Sequence, residues 1–248
     1  MSAMMFRNQL SRLTPALLKM VETGANNRTA LISIMDHKRD GTNRYPSARH
    51  ALENLRERRT ETMPKQRKIL YSRDSACIQP LRQLMEEQAH RVLVAWALDC
   101  AARPLAFFEE RIPAELRPRE ATIVSRMWAE GEIKMPLARR AILQAHAAAG
   151  EAGKRDAIAE AAARAVGHAC ATVHTETHAL GLVFYWLTAV VRQCAPEERE
   201  TRESEDLIWF MERLLYWRDH IEDWNAPWAN FLLREAPNKE KLLHERKG

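Results

Sequence analysis

Glycine is scarce, 8 in 248 residues, and the motifs that glycine serves are missing. There is no phosphate loop, no Gly-x-Gly-x-x-Gly turn and no Gly-x-Ser-x-Gly elbow, and His-Glu-x-x-His is absent as well. These absences argue against a nucleotide-binding α/β fold, an α/β-hydrolase and a zincin. The four cysteines, Cys77, Cys100, Cys170 and Cys194, lie far apart with no Cys-x-x-Cys pair. No apolar run reaches the roughly 18 residues of a membrane span, and the start lacks an apolar stretch followed by a small-residue cleavage site. The expectation is a cytoplasmic chain with reduced thiols and no membrane span.

What is abundant is alanine, at 14 of the 31 residues from Ala141 to Ala171. Alanine loses no side-chain entropy in a helix, whereas glycine loses the most backbone entropy. With 46% apolar and 29% charged residues, this bias predicts an all-α antiparallel helical bundle.

The net charge of +5 hides a division. Residues 1–88 carry a net +7, residues 89–194 a net +2 and residues 195–248 a net −4. The first region reads as a basic, partly disordered arm over 1–84, followed by an all-helical domain over 85–248. Within the arm, Phe6, Leu10, Leu13, Leu17 and Val21 recur at helical spacing. The stretch from Asp36 to Leu81 is polar, with one short helix expected around Ala48–Arg59. Its cluster of Arg56, Arg58, Arg59, Lys65, Arg67 and Lys68 could contact nucleic-acid phosphates.

Helical spacing then runs through Val92, Leu93, Trp96 and Cys100, with a break expected at Pro104. Pro118 and Pro136 read as first-turn prolines and Gly131 as a helix stop. The 136–149 and 155–180 stretches read as a tight alanine-faced antiparallel pair, and the helical run from about Lys154 to Cys194 is expected to bend or split near Gly167 or Gly181. After Pro196 a helix opens with Glu197, Glu198 and Glu200, where negative charge complements the macrodipole. Its expected buried stripe is Leu207, Ile208, Met211, Leu214, Leu215 and Ile221.

Two constellations carry candidate chemistry. His174 and His178 stand four apart, a spacing that puts both on one helix face, and His146 lies on the preceding helix. Such a set can ligate a metal when the ligands converge, as in DinB-like four-helix hydrolases and transferases. The second is acidic and aromatic: Glu203, Asp206, Trp209, Glu222, Asp223 and Trp224, a rim suited to a basic partner. No paired carboxylates and no cysteine beside a base suggest acid–base or nucleophilic catalysis.

An ordered series of segments adds a family resemblance. It begins with Trp96-Ala97-Leu98-Asp99-Cys100-Ala101, Arg117-Pro118-Arg119-Glu120, and Trp128 with Gly131-Glu132-Ile133. It continues through Ala138-Arg139-Arg140-Ala141, Ala145-His146-Ala147-Ala148-Ala149 and Ala163-Arg164-Ala165-Val166-Gly167-His168-Ala169, to Ala171-Thr172-Val173-His174-Thr175-Glu176-Thr177-His178-Ala179. Over roughly residues 90–185 this resembles a bacterial family named putative immunity protein, from polymorphic toxin systems. The resemblance implies a compact helical protein that neutralises a cognate toxin by direct binding, with no catalysis and no cofactor. Two alternatives stay open on the residues themselves: a metal-dependent bundle enzyme using His146, His174 and His178, and a nucleic-acid-binding regulator acting through residues 38–73.

Overall fold

The computed structural model describes residues 69–234 and 236–246, all within one compact unit, Lys65–Gly248. The expected amphipathic start, the 48–59 helix, the disorder of the arm and the basic cluster at 56–68 lie outside the described residues. Nine α-helices run through the rest: α1 (Gln79–Glu86), α2 (His90–Cys100), α3 (Ala102–Arg111), α4 (Arg117–Ala129) and α5 (Met135–Ala152), then α6 (Ala157–Ala171), α7 (Ala179–Gln193), α8 (Arg199–Asp219) and α9 (Lys239–Glu245). Short 3-10 turns sit at Ala76–Ile78, Glu176–His178, Pro196–Glu198 and Ile221–Trp224, and no strand occurs among the described residues.

The helix ends follow local chemistry. Pro80, Pro118 and Pro136 occupy the first turns of α1, α4 and α5, where the missing N–H has no partner to lose. The Asp156 carboxylate caps α6 by accepting from the N–H groups of Ile158 and Ala159 at 2.9 and 3.0 Å. α4 stops where Gly131 takes φ +81°. There the Gly131 N–H donates to the Trp128 carbonyl and the Glu132 N–H to that of Met127. This paired closure needs a left-handed residue, and glycine supplies it without steric cost.

α6 is the central helix. Ten of its fifteen residues are buried, seven of them alanine. It packs against α5, α7, α3, α4 and α2, and side chains this small let the neighbouring backbones come close. The expected α5–α6 pair is therefore present. The expected bend at a glycine is not: Gly167 lies inside an unbroken α6 and Gly181 inside α7. The chain breaks instead at residues 172–178, where the Thr172 hydroxyl donates back to the His168 carbonyl at 3.1 Å. Threonine side chains compete for backbone partners in this way, and Thr175 is extended (φ −157°). The break at Pro104 also moves, to Ala101 between α2 and α3.

α8 packs on α2 and α7. Its buried face is Asp206, Leu207, Phe210, Leu214 and Trp217, while Ile208 is 52% exposed. The expected stripe thus keeps Leu207 and Leu214 but turns away from Ile208 towards the rings. The cause is Trp96 on α2, fully buried, whose indole N–H donates to the Phe210 carbonyl at 3.0 Å. The two rings lie 5.7 Å apart and set the rotation of α8.

The expected boundary at residue 84 falls inside α1. Ile78 and Leu81 are fully buried in the core that α2 and α8 share. Average polarity over the preceding stretch concealed these two positions. A brace on the same side joins residues distant in sequence. Asn238 caps α9 while its side-chain amide donates to the carbonyls of Met85 and Gln88, both at 2.9 Å. The buried Glu240 carboxylate pairs with Arg73 at 2.7 Å and Arg82 at 3.5 Å, and Arg73 also donates to the Thr177 carbonyl.

Candidate functional site

A cavity of about 450 Å³ opens beside α5 and receives the three sequence-predicted histidines, His146, His174 and His178. Met135, Arg139, Ile142, Leu143 and His146 line it from α5, four of them at intervals of three or four residues along one helical face. Trp128 comes from α4 and Ala171 from the end of α6. His174 and His178 do not share a helix face, because the chain leaves α6 before His174 and His178 ends a 3-10 turn. Both still reach the cavity, through the loop rather than through helical periodicity.

Sequence spacing missed the link between them. His168 on α6 stands with its ring 5.4 Å from that of His146 and 5.4 Å from that of His178, and it stacks on Tyr185 at 5.1 Å. Two glycines make the room. A Cβ on Gly167 would sit 2.6 Å from the His146 ring, and one on Gly181 would sit 2.3 Å from the His168 ring. A glycine inside a helix costs about 1 kcal/mol relative to alanine, so each position gives up helix stability to seat an imidazole. This pairing of glycine with histidine is the signal that could have found His168.

Burial sets the charge of this group. It lowers the pKa of His146 and His178, and it pushes His168 down to about 3, helped by the facing His146 and His178 and by Arg164 and Arg73. The rings are neutral at pH 7. The Nδ1 atoms of both His146 and His168 are buried without a hydrogen-bond partner among the described residues. Among the described residues, no group of three or more His, Cys, Asp or Glu side chains is placed to hold a metal ion.

The acidic and aromatic residues divide between scaffold and surface. Asp206 is buried and pairs with Arg103 at 2.6 Å, and the Arg103 guanidinium lies 3.6 Å over the Trp209 ring. Trp224 is 3% exposed and stacks on Trp228 with centroids 4.5 Å apart, while Arg126 covers it at 4.2 Å. Glu203 is half-buried and accepts from the Tyr71 hydroxyl. Glu222 and Asp223 stand exposed on the 3-10 turn that Trp224 anchors, and Asp223 accepts from Tyr216 at 2.5 Å.

A third polar group lies near the cavity. His90 meets the Thr172 carbonyl at 2.7 Å and the buried Glu176 carboxylate at 3.8 Å, with Lys239 3.7 Å from Glu176. Cys77, Cys100 and Cys170 are poor nucleophiles. Burial raises Cys170 to about 12 and Cys100 well above its ordinary value, and burial with the nearby Glu203 raises Cys77 to about 11. No described helix is long and apolar enough to cross a membrane.

Comparison with known proteins bears on the helical unit. A family model described as Imm-5 like putative immunity protein matches residues 83–212, from within α1 to the middle of α8. No curated protein and no solved structure matches the chain.

Proposed function

Because the chain belongs to the Imm-5 like putative immunity protein family, we propose that it neutralises a cognate toxin by direct protein–protein binding, without catalysis. The observation that carries the surface assignment is the 3-10 turn Ile221–Trp224. It holds Glu222 and Asp223 in solvent while Trp224 is clamped between Trp228 and Arg126. Acids on an immobilised turn lose little entropy on association, and their field speeds encounter with a basic cleft such as that of a nuclease. Glu203 adds charge to the surface, while Asp206 and Trp209 act from below by fixing Arg103.

The test is association kinetics with the cognate toxin, identified by pull-down from the native host. In E222K/D223K the on-rate should fall about 10-fold at low salt and converge with the parent rate at high salt. An unchanged on-rate with unchanged salt dependence removes this surface. Failure of the parent chain to bind removes the proposal itself.

A further inference from the structure

We infer that the cavity beside α5 is a binding site for a small planar aromatic carboxylate. Its volume, about 450 Å³, suits a small molecule of one or two rings. Ile142, Leu143 and Ala171 supply the apolar lining, and Trp128 supplies a flat wall. Phe231 packs on that indole 5.6 Å away and holds it in place. His174 covers it loosely: the two rings are near-parallel at 22°, yet their centroids are 6.4 Å apart, the widest of the described ring pairs. His174 is exposed and lies on the loop after α6, so it can draw aside and let a ligand ring lie on the indole.

The polar groups select the sign of the ligand. No Asp or Glu lines the cavity. Arg139 stands exposed at its wall, with no ion-pair or hydrogen-bond partner among the described residues. A guanidinium offers a carboxylate two parallel N–H donors, a match that a lone ammonium does not make. His146 and His178 are neutral, so they add hydrogen-bonding capacity without competing for the anion. The buried Nδ1 of His146 has no hydrogen-bond partner among the described residues. Aromatic wall, apolar lining and one free guanidinium together describe a ring carrying a carboxylate one or two bonds away.

This site does not rest on toxin binding, and its test is separate. The full chain is titrated calorimetrically with indole-3-acetate, with the uncharged indole-3-ethanol and with the cation tryptamine. The acid should bind with Kd below about 1 mM, the alcohol about 10-fold more weakly and the amine not measurably. R139Q should bring the acid down to the affinity of the alcohol and leave the alcohol unchanged. L143W, at a rim position 55% exposed, should block the acid and the alcohol while keeping the parent melting temperature. E222K/D223K should bind the acid as the parent does. Equal affinity for acid and alcohol, indifference to R139Q, or no binding of the acid at about 10 mM overturns the inference. So does binding of an acetyl-Trp-Glu peptide in place of the free acid, which would reassign the cavity to a protein partner.

Discussion

The two sides of the bundle solve the same packing problem with opposite materials. On the α2–α8 side, large rings meet and the indole N–H groups of Trp96 and Trp217 are engaged, while that of the buried Trp224 has no partner among the described residues. Trp96 donates to Phe210, Trp217 donates to Asp99 at 2.9 Å, Arg213 meets the same carboxylate at 2.5 Å, and Arg103 meets Asp206. On the α5–α6–α7 side, alanines let the backbones close up, and two glycines leave room for imidazoles whose Nδ1 atoms have no partner among the described residues. A buried polar group is stabilising when paired and costly when not, so the first side holds the fold and the second carries a penalty that a ligand could relieve.

The largest expected effect lies on the paired side. Trp96→Ala removes a fully buried ring and leaves the Phe210 carbonyl without its donor, and should cost about 3–5 kcal/mol in denaturant unfolding. If the loss is below about 1 kcal/mol, the α2–α8 seam does not hold the fold as described.

On the histidine side the expected effect depends on pH. The folded-state pKa of His168 lies below its unfolded value, so the unfolded chain binds more protons in the interval between them. Stability is therefore full above about pH 6.5 and falls as pH drops towards about 3, with His168 accounting for about 2 kcal/mol by pH 5. Melting curves at pH 7.5 and pH 5 should separate, and His168→Leu should bring them closer together. Equal separation in parent and variant would assign the acid sensitivity elsewhere.

The smallest effect sets two glycines against each other. Nothing lies within 4 Å of a Cβ at Gly150, so Gly150→Ala should stabilise by about 0.5–1 kcal/mol. At Gly181 the same change drives into His168, and it should destabilise by about 1 kcal/mol after the propensity gain is counted. If the two substitutions match in sign, glycine is not reserved here for an imidazole.

Features set by neighbours in the chain were legible in the sequence. First-turn prolines and the Gly131 stop act through local backbone chemistry, and α4 and α5 run close to where they were expected. Features set across space were less so. The rotation of α8 depends on Trp96, more than a hundred residues away, and hydrophobicity alone cannot choose between Ile208 and Phe210. His174 and His178 reach one cavity through a threonine-bearing loop, not through the shared helix face that their spacing suggested. His168 was hidden because its place depends on a glycine from α7.

The brace at Glu240 bears on the order of events during synthesis. Arg73 and Arg82 leave the ribosome early, while the carboxylate that neutralises them follows about 160 residues later. Until then Arg82, only 4% exposed in the finished fold, has its neighbour Glu86 as its one acidic partner. Closing so long a loop is slow, and it comes after the local helix pairs have formed. A nascent chain stalled before Asn238 would therefore hold α1 through the apolar contacts of Ile78, Leu81 and Met85 alone, without the polar brace.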